Sequence, residues 1–295
     1  SNKFSITTPS GKFFLKCQSD KGSPNTFFRE TKIADFLKLK GVNVPRIIKL
    51  KNGEYGCSLY GRHWILFEFI FGKHFTGIGD ELQSASEEFA KLTKVLENYT
   101  EQEPKKNNQL FIDDLQTLLD LANQSNTIKN YVSKNLHEHY DFVSNALSKS
   151  YNDRNQITKK WSFMHTEFHP MNLLMHDEKV LAILDFEDIN WSPILESLGF
   201  NAYKLIREMM TNPEVRKHEI ISSSLINCWI SGWRKSFPKS NWGPEDLGKG
   251  ARYRVLCIIR LILNNSLKLG NTEYLYDLEK QIYSLYEIEK IFWKK

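Results

Sequence analysis

Hydrophobic and polar positions are patterned differently in the two parts of this chain. Lys3–Ile6 and Lys12–Cys17 are β-like runs around the turn cluster Thr8-Pro9-Ser10-Gly11, which predicts an opening hairpin with Lys16 near its end. A polar loop over 19–25 leads into Phe27–Leu39, where Phe28, Ile33, Phe36 and Leu37 share roughly one helical face and Glu30 falls in the first turns. Gly41 then supplies the left-handed residue that commonly stops a helix. Val44–Ile48 and Trp64–Ile70 read as further strands joined through Asn52-Gly53, and Gly72 breaks the second. After about Phe75 the spacing becomes helical, over Ser86–Tyr99, Leu110–Ala122 and Ile128–Ser148, and again over Pro193–Met210, His218–Ser236, Leu247–Leu269 and Tyr274–Trp293. The predicted class is α+β: a small β-rich lobe over 1–75, a larger, mainly helical lobe over 76–295, and a cleft between them as the expected site.

One stretch breaks the helical pattern. Leu173–Met175, the polar turn over 176–179 and Val180–Leu184 read as a buried hairpin, and around it cluster His165, Glu167, His169, Asn172, Asp185 and Glu187. A hairpin brings its two ends together, so Asn172 before it and Asp185 after it are expected side by side. Two oxygen-bearing side chains at that spacing suit a hard divalent cation.

Composition narrows the field only slightly. The 40 basic and 35 acidic side chains give a net charge of +5 without blocks of one sign, which is weak ground for a nucleic-acid or membrane partner. Cys17, Cys57, Cys228 and Cys257 show no C-x-x-C spacing, arguing against a zinc site, and with no signal peptide visible the cytoplasm is the default. No apolar run approaches the roughly 20 residues of a membrane span.

The ordered set H-T-E-F-H-P-M-N at 165–172, L-D-F-E at 184–187, the lysine of F-F-L-K at 13–16, Glu30 on the next helix and W-I-L-F-E-F-I-F-G at 64–72 resembles the aminoglycoside phosphotransferase and choline kinase family of small-molecule kinases. Glu167 precedes Asn172 by five positions, the acidic-to-asparagine spacing of a kinase catalytic loop. The resemblance covers nearly the whole chain and implies a two-lobed protein-kinase-like fold with ATP and Mg²⁺ as cofactors. It further implies that Asn172 and Asp185 hold the metal, Lys16 pairs with the phosphates, and Glu30 holds Lys16. The backbone of Glu68, Phe69 and Ile70 would meet adenine, Glu167 would act as base, and His165 would brace the loop, with Glu187 in a secondary role. His169 either touches substrate or phosphate or caps the loop.

Two departures stand out. The family usually has Asp at the Glu167 position, and its first strand and phosphate-covering loop would precede Asn2, so the chain is expected to begin inside the domain. Two readings of Glu167 remain open: a working base in an enzyme, or the mark of a nucleotide-binding pseudokinase or regulatory module. A protein kinase ranks lower, because Pro193 and a helix follow Asp185 too soon for an activation segment. The acidic residues Glu187, Asp188 and Glu196 suggest an anionic acceptor pocket suited to an amine-bearing small molecule. Trp229 and Trp233, spaced at i and i+4, read as packing, with an aromatic face for a cationic acceptor as the other possibility.

Overall fold

The computed structural model describes residues 2–19, 24–99, 112–132, 136–213 and 222–293. The opening hairpin is β1 (Asn2–Thr8) and β2 (Gly11–Ser19), closed at Thr8↔Gly11, where Gly11 takes φ +135°. Helix α1 (Pro24–Leu39) follows; Ile33 and Leu37 on it are buried, the Phe28 side chain lies outside the described part, and Gly41 at φ +74° ends the helical path. Strands β3 (Cys57–Leu59) and β4 (Arg62–Glu68) complete an antiparallel sheet in the order β1-β2-β4-β3. Along β4 the alternation of the sequence survives, with Ile65 and Phe67 turned into the core.

The expected strand at Val44–Ile48 is instead an extended segment touching β4 through one bridge, Ile47↔Phe67, and the bonds Ile48 N–H to Leu66 O (2.8 Å) and Glu68 N–H to Arg46 O (2.9 Å). Pro45 has no N–H to continue a ladder. The hairpin partner of β4 is the short β3, joined by Tyr60-Gly61, both at positive φ as a tight type I′ connection requires. The expected strand to Ile70 ends at Glu68, leaving Phe69 and Ile70 in an irregular connection.

Beyond β5 (Lys73–His74) the chain is mainly helical: α2 (Glu81–Leu96), α3 (Leu115–Gln124), the short α4 (Asn126–Lys129) and α5 (Leu136–Ile157). The helix expected from Ile128 to Ser148 is thus divided, and Leu110 and Phe111 lie outside the described residues. Strand β6 (Trp161–His165) pairs with β9 (Ile189–Pro193), while β7 (Leu173–His176) and β8 (Lys179–Ile183) form the predicted hairpin beside β5. Asp177 and Glu178 at its tip both have positive φ. Strand β9 is unanticipated; Pro193 ends it and the helix α6 (Ile194–Thr211) begins one residue later. Helices α7 (Ser222–Ser236), α8 (Pro244–Leu269) and α9 (Leu278–Phe292) finish the fold; the expected start of α7 at 218–221 lies outside the described residues.

Helices α6 and α8 cross with their backbones nearly touching. A Cβ on Gly199 would lie 2.1 Å from Leu247 O, and one on Gly250 would lie 2.1 Å from Leu195 O. Each helix therefore offers a glycine where the other's carbonyl passes. Trp229 and Trp233 are buried against Phe89, with ring centroids 5.6 and 6.0 Å apart, so they serve packing. Among the described residues no helix is long and apolar enough to cross a membrane.

Candidate active site

The site begins with a lysine that the β-pattern turns inward. Lys16 on β2 lies between Lys3 of β1 and Ile65 of β4 in register, and its side chain is only 3% exposed. Its ammonium lies 2.7 Å from Glu30 Oε1 on α1, 2.7 Å from Asp185 Oδ1 and 3.3 Å from Glu187 Oε2. An ammonium with three N–H donors thus meets three carboxylates. Burial alone would lower the Lys16 pKa; Glu30, Asp185 and Glu187 together override it and hold the group well above the ordinary lysine range. The expected ion pair between Lys16 and Glu30 is present, and the exit of the distant hairpin joins it.

That exit is placed by the hairpin itself. Leu173 pairs with Ile183, and Leu184 N–H donates to Asn172 O at 2.8 Å, so residues 172 and 185 meet at one end of β7-β8. Asp185 adopts φ +66°, a left-handed conformation that costs a non-glycine residue energy. Its Oδ2 accepts a bond from Lys3 Nζ at 3.2 Å, and despite partial burial Lys16 and Lys3 hold its carboxyl below the usual range. Asn172 donates Nδ2–H to Glu167 O at 2.9 Å. Its amide nitrogen is committed to the loop, and the amide oxygen is the end left for a cation.

The loop 165–172 is held from both sides. The fully buried His165 donates from Nε2 to Leu184 O at 2.9 Å, burial keeps it neutral, and Asn201 Nδ2–H on α6 donates to His165 O at 2.9 Å. His169 makes no capping bond with its side chain; its ring faces the cleft, 3.3 Å from Asn172 Nδ2, with its pKa pushed down to about 4 by burial and by Lys204. Glu167 lies on the other side of that loop, where Lys204 Nζ of α6 is 2.5 Å from its Oε2. Burial would raise the Glu167 pKa, but the Lys204 ammonium holds it below the glutamate range.

A cleft of about 1270 Å³ runs from Lys3, Lys16 and Asp185 past Phe67 and the Glu68–Gly72 segment, with His169, Asn172 and Leu184 on its floor. Glu68 lines it only in part: its carboxylate accepts from Arg46 N–H (2.7 Å) and Lys38 Nζ (3.2 Å), and its backbone N–H is spent on Arg46 O. The Phe69 ring packs edge-on to Phe71, centroids 4.9 Å apart, with Lys12 Nζ 4.1 Å above it.

The expectation of an anionic pocket needs correction. Glu196 is 3% exposed and bonded to Arg254 Nη1 at 3.1 Å, so it is neutralised inside the helical packing rather than presented to a substrate; the Asp188 side chain lies outside the described part. Sequence reasoning also missed Lys3 and Lys204. Neither stands in a local motif, and only strand register and helix crossing bring them to the site. Among the described residues no three His, Cys, Asp or Glu side chains are grouped to hold a metal. The available pair, the Asn172 amide and the Asp185 carboxylate, fits Mg²⁺, which takes one or two protein oxygens and completes its shell with phosphate and water.

Solved structures of similar fold include small-molecule kinases. An amicoumacin kinase in complex with AMP-PNP, Ca²⁺ and Ami aligns with a TM-score of 0.64 at 14% identity, covering 98% of this chain and 85% of that one. An aminoglycoside phosphotransferase from Alicyclobacillus acidocaldarius gives 0.64 at 12% identity, with coverage of 99% and 88%. A microcompartment-associated aminopropanol kinase gives 0.65 at 14% identity, with coverage of 97% and 86%. At these identities the likeness is one of fold, the two-lobed architecture of these enzymes. No curated protein sequence matches the chain significantly. The model of the phosphotransferase enzyme family matches residues 1–207, well over half of the sequence, and the chain belongs to that family.

Proposed function

We propose that the protein transfers the γ-phosphoryl group of ATP to a hydroxyl of a small molecule, with Mg²⁺ as the required ion. The observation that carries this reading is the convergence of Lys16, Glu30 and Asp185 from three separate elements at the end of a cleft of nucleotide size. Such a buried cluster is costly to assemble, and it lines the cleft where phosphates would lie.

In this reading the β-rich lobe, to about residue 75, binds the nucleotide and the helical lobe binds the acceptor. Lys16 contacts the α and β phosphates and is held by Glu30. Asn172 and Asp185 would hold the ion, which would offset the charge of the phosphates. Adenine meets the backbone of Glu68–Ile70; with the Glu68 N–H already used, its carbonyl and the Ile70 N–H are the reading groups. Glu167 accepts the proton of the attacking hydroxyl. The Lys204 pair keeps that carboxylate ionised, the state a base needs, which favours a working enzyme over a pseudokinase. Glu187, beside Lys16, is secondary, and His165 braces the loop.

The acceptor is an amine-bearing alcohol. With Glu196 neutralised by Arg254 and Glu167 paired with Lys204, the support for this within the chain rests on Glu187, 31% exposed. The neighbours that phosphorylate aminopropanol and aminoglycosides agree with it. A cytoplasmic location goes with an ATP-consuming reaction and with four free cysteines. The test is Mg²⁺-dependent ATP turnover against amino alcohols, aminoglycosides and neutral sugars. Turnover with an amine, lost in Asp185→Ala, is expected; turnover with neutral sugars alone would remove the amine, and nucleotide binding without turnover on any acceptor would restore the pseudokinase.

A further inference from the structure

Among the described residues Lys204 is the cation that bonds the Glu167 carboxylate, and its setting is built rather than incidental. Helix α6 is fixed to the loop by the Asn201 bond to His165 O, and to α8 by the glycine contacts at Gly199 and Gly250. Lys204 sits about one turn beyond Asn201 on the same face. Its ammonium lies over the Phe200 ring, Nζ 4.5 Å from the centroid, and 2.5 Å from Glu167 Oε2. Glu167 is its single hydrogen-bond acceptor among the described residues, so of three N–H donors one is spent. The side chain keeps 24% of its surface, and Glu167 keeps 28%, so both ends of the pair reach solvent. Arg254, the other cation nearby, is bonded to Glu196.

We propose that Lys204 is a second catalytic cation, which bridges Glu167 and the phosphoryl group during transfer; this rests on the kinase reading above. The acceptor hydroxyl must hydrogen-bond Glu167, at about 2.7 Å, so an ammonium 2.5 Å from Oε2 lies within about 5 Å of an attacking oxygen bonded to that same Oε2, and within about 7 Å of one bonded to Oε1. In the step itself, the hydroxyl oxygen forms a bond to the γ phosphorus and its proton passes to Glu167. The bond from phosphorus to the bridging oxygen breaks, and its electron pair leaves on ADP. Burial lowers the Lys204 pKa and Glu167 opposes this only in part, so Lys204 keeps its own proton through the phosphoryl oxygens that replace Glu167 as its counter-charge. As Glu167 becomes neutral, the Lys204 charge loses its counter-ion and is redirected to the phosphoryl oxygens, where negative charge spreads in a loose transition state.

The test separates ground-state binding from transition-state charge. ADP affinity is measured by calorimetry with Mg²⁺, in the absence and presence of aluminium fluoride, for wild type, Lys204→Met and Lys204→Arg. Expected are ADP affinities alike in all three, to within about twofold. Fluoride should tighten binding in wild type and Lys204→Arg, and that tightening should fall by roughly tenfold or more in Lys204→Met. The kcat for ATP turnover should drop by about 10² in Lys204→Met with KM for ATP little changed, and Lys204→Arg should recover most of it. Equal tightening in Lys204→Met, or none in a wild type that binds ADP, overturns the role of Lys204 and leaves the kinase reading standing. A wild type that binds no ADP overturns both.

Discussion

Glu167 reaches farther from the backbone than aspartate would, and the structure uses the extra methylene to meet Lys204 across the loop. Replacing its charge without changing its size isolates its role. Glu167→Gln should lower kcat by about 10²–10⁴ while KM for ATP stays within a few-fold, as for loss of a general base; a kcat within threefold of wild type would remove Glu167 from the chemistry. Lys3 makes the second prediction at this scale. It lies directly across from Lys16 and bonds Asp185 Oδ2, the oxygen that a metal would claim. Once displaced, its nearest anions are phosphates. Lys3→Met should therefore weaken AMP-PNP binding by about three- to tenfold, one surface-accessible charge contact, and leave adenosine unaffected; equal losses for both ligands would show a contact to the base or a fold defect instead. Glu167, Asn172 and Asp185 were legible because hairpin pairing fixes their relation within a short stretch. Lys3 and Lys204 were not, since an isolated lysine has no pattern until strands register and helices cross.

The elements show the same division between local and non-local information. The hairpin β7-β8 follows from two apolar runs around a polar turn, and most helices follow from their spacing. Val44–Ile48 has strand-like composition, but Pro45 denies it a ladder, and β9 was hidden because its five residues run directly into α6. Nothing in periodicity announces the α6-α8 crossing either. Gly199 and Gly250 are ordinary helix positions in sequence, where glycine would normally cost stability relative to alanine. Here each is the space through which the other helix's backbone passes. Gly250→Ala should therefore destabilise the protein, despite alanine's better helix propensity, by about 2–4 kcal/mol, because the added methyl meets a main-chain carbonyl that no rotamer change can move. Urea unfolding measures it; a neutral or stabilising effect would show that the helices are not so close. Since α6 carries Asn201 and Lys204, the variant should also lose activity beyond its loss of folded protein.

At the scale of the whole molecule, the cleft is already bridged before any nucleotide arrives. Lys16 and Lys3 on the sheet both grip Asp185 at the exit of the hairpin, so the protein's own lysines hold the carboxylate that an ion would take. Nucleotide with its ion must exchange these contacts for phosphate and metal contacts, and binding without the ion gains fewer of them, because Asp185 and the phosphates would then face each other uncompensated. Ligand-linked stability reads this exchange directly. AMP-PNP at 100 times its dissociation constant adds about 2.7 kcal/mol to the folded state. For a chain of this size that corresponds to a rise in Tm of roughly 5 °C. The shift should appear in full with Mg²⁺, shrink when the ion is chelated, and be largely absent in Asp185→Ala at any ion concentration. A shift in Asp185→Ala that is kept and still depends on the ion would mean that Asp185 serves the lysines and that another group carries the metal.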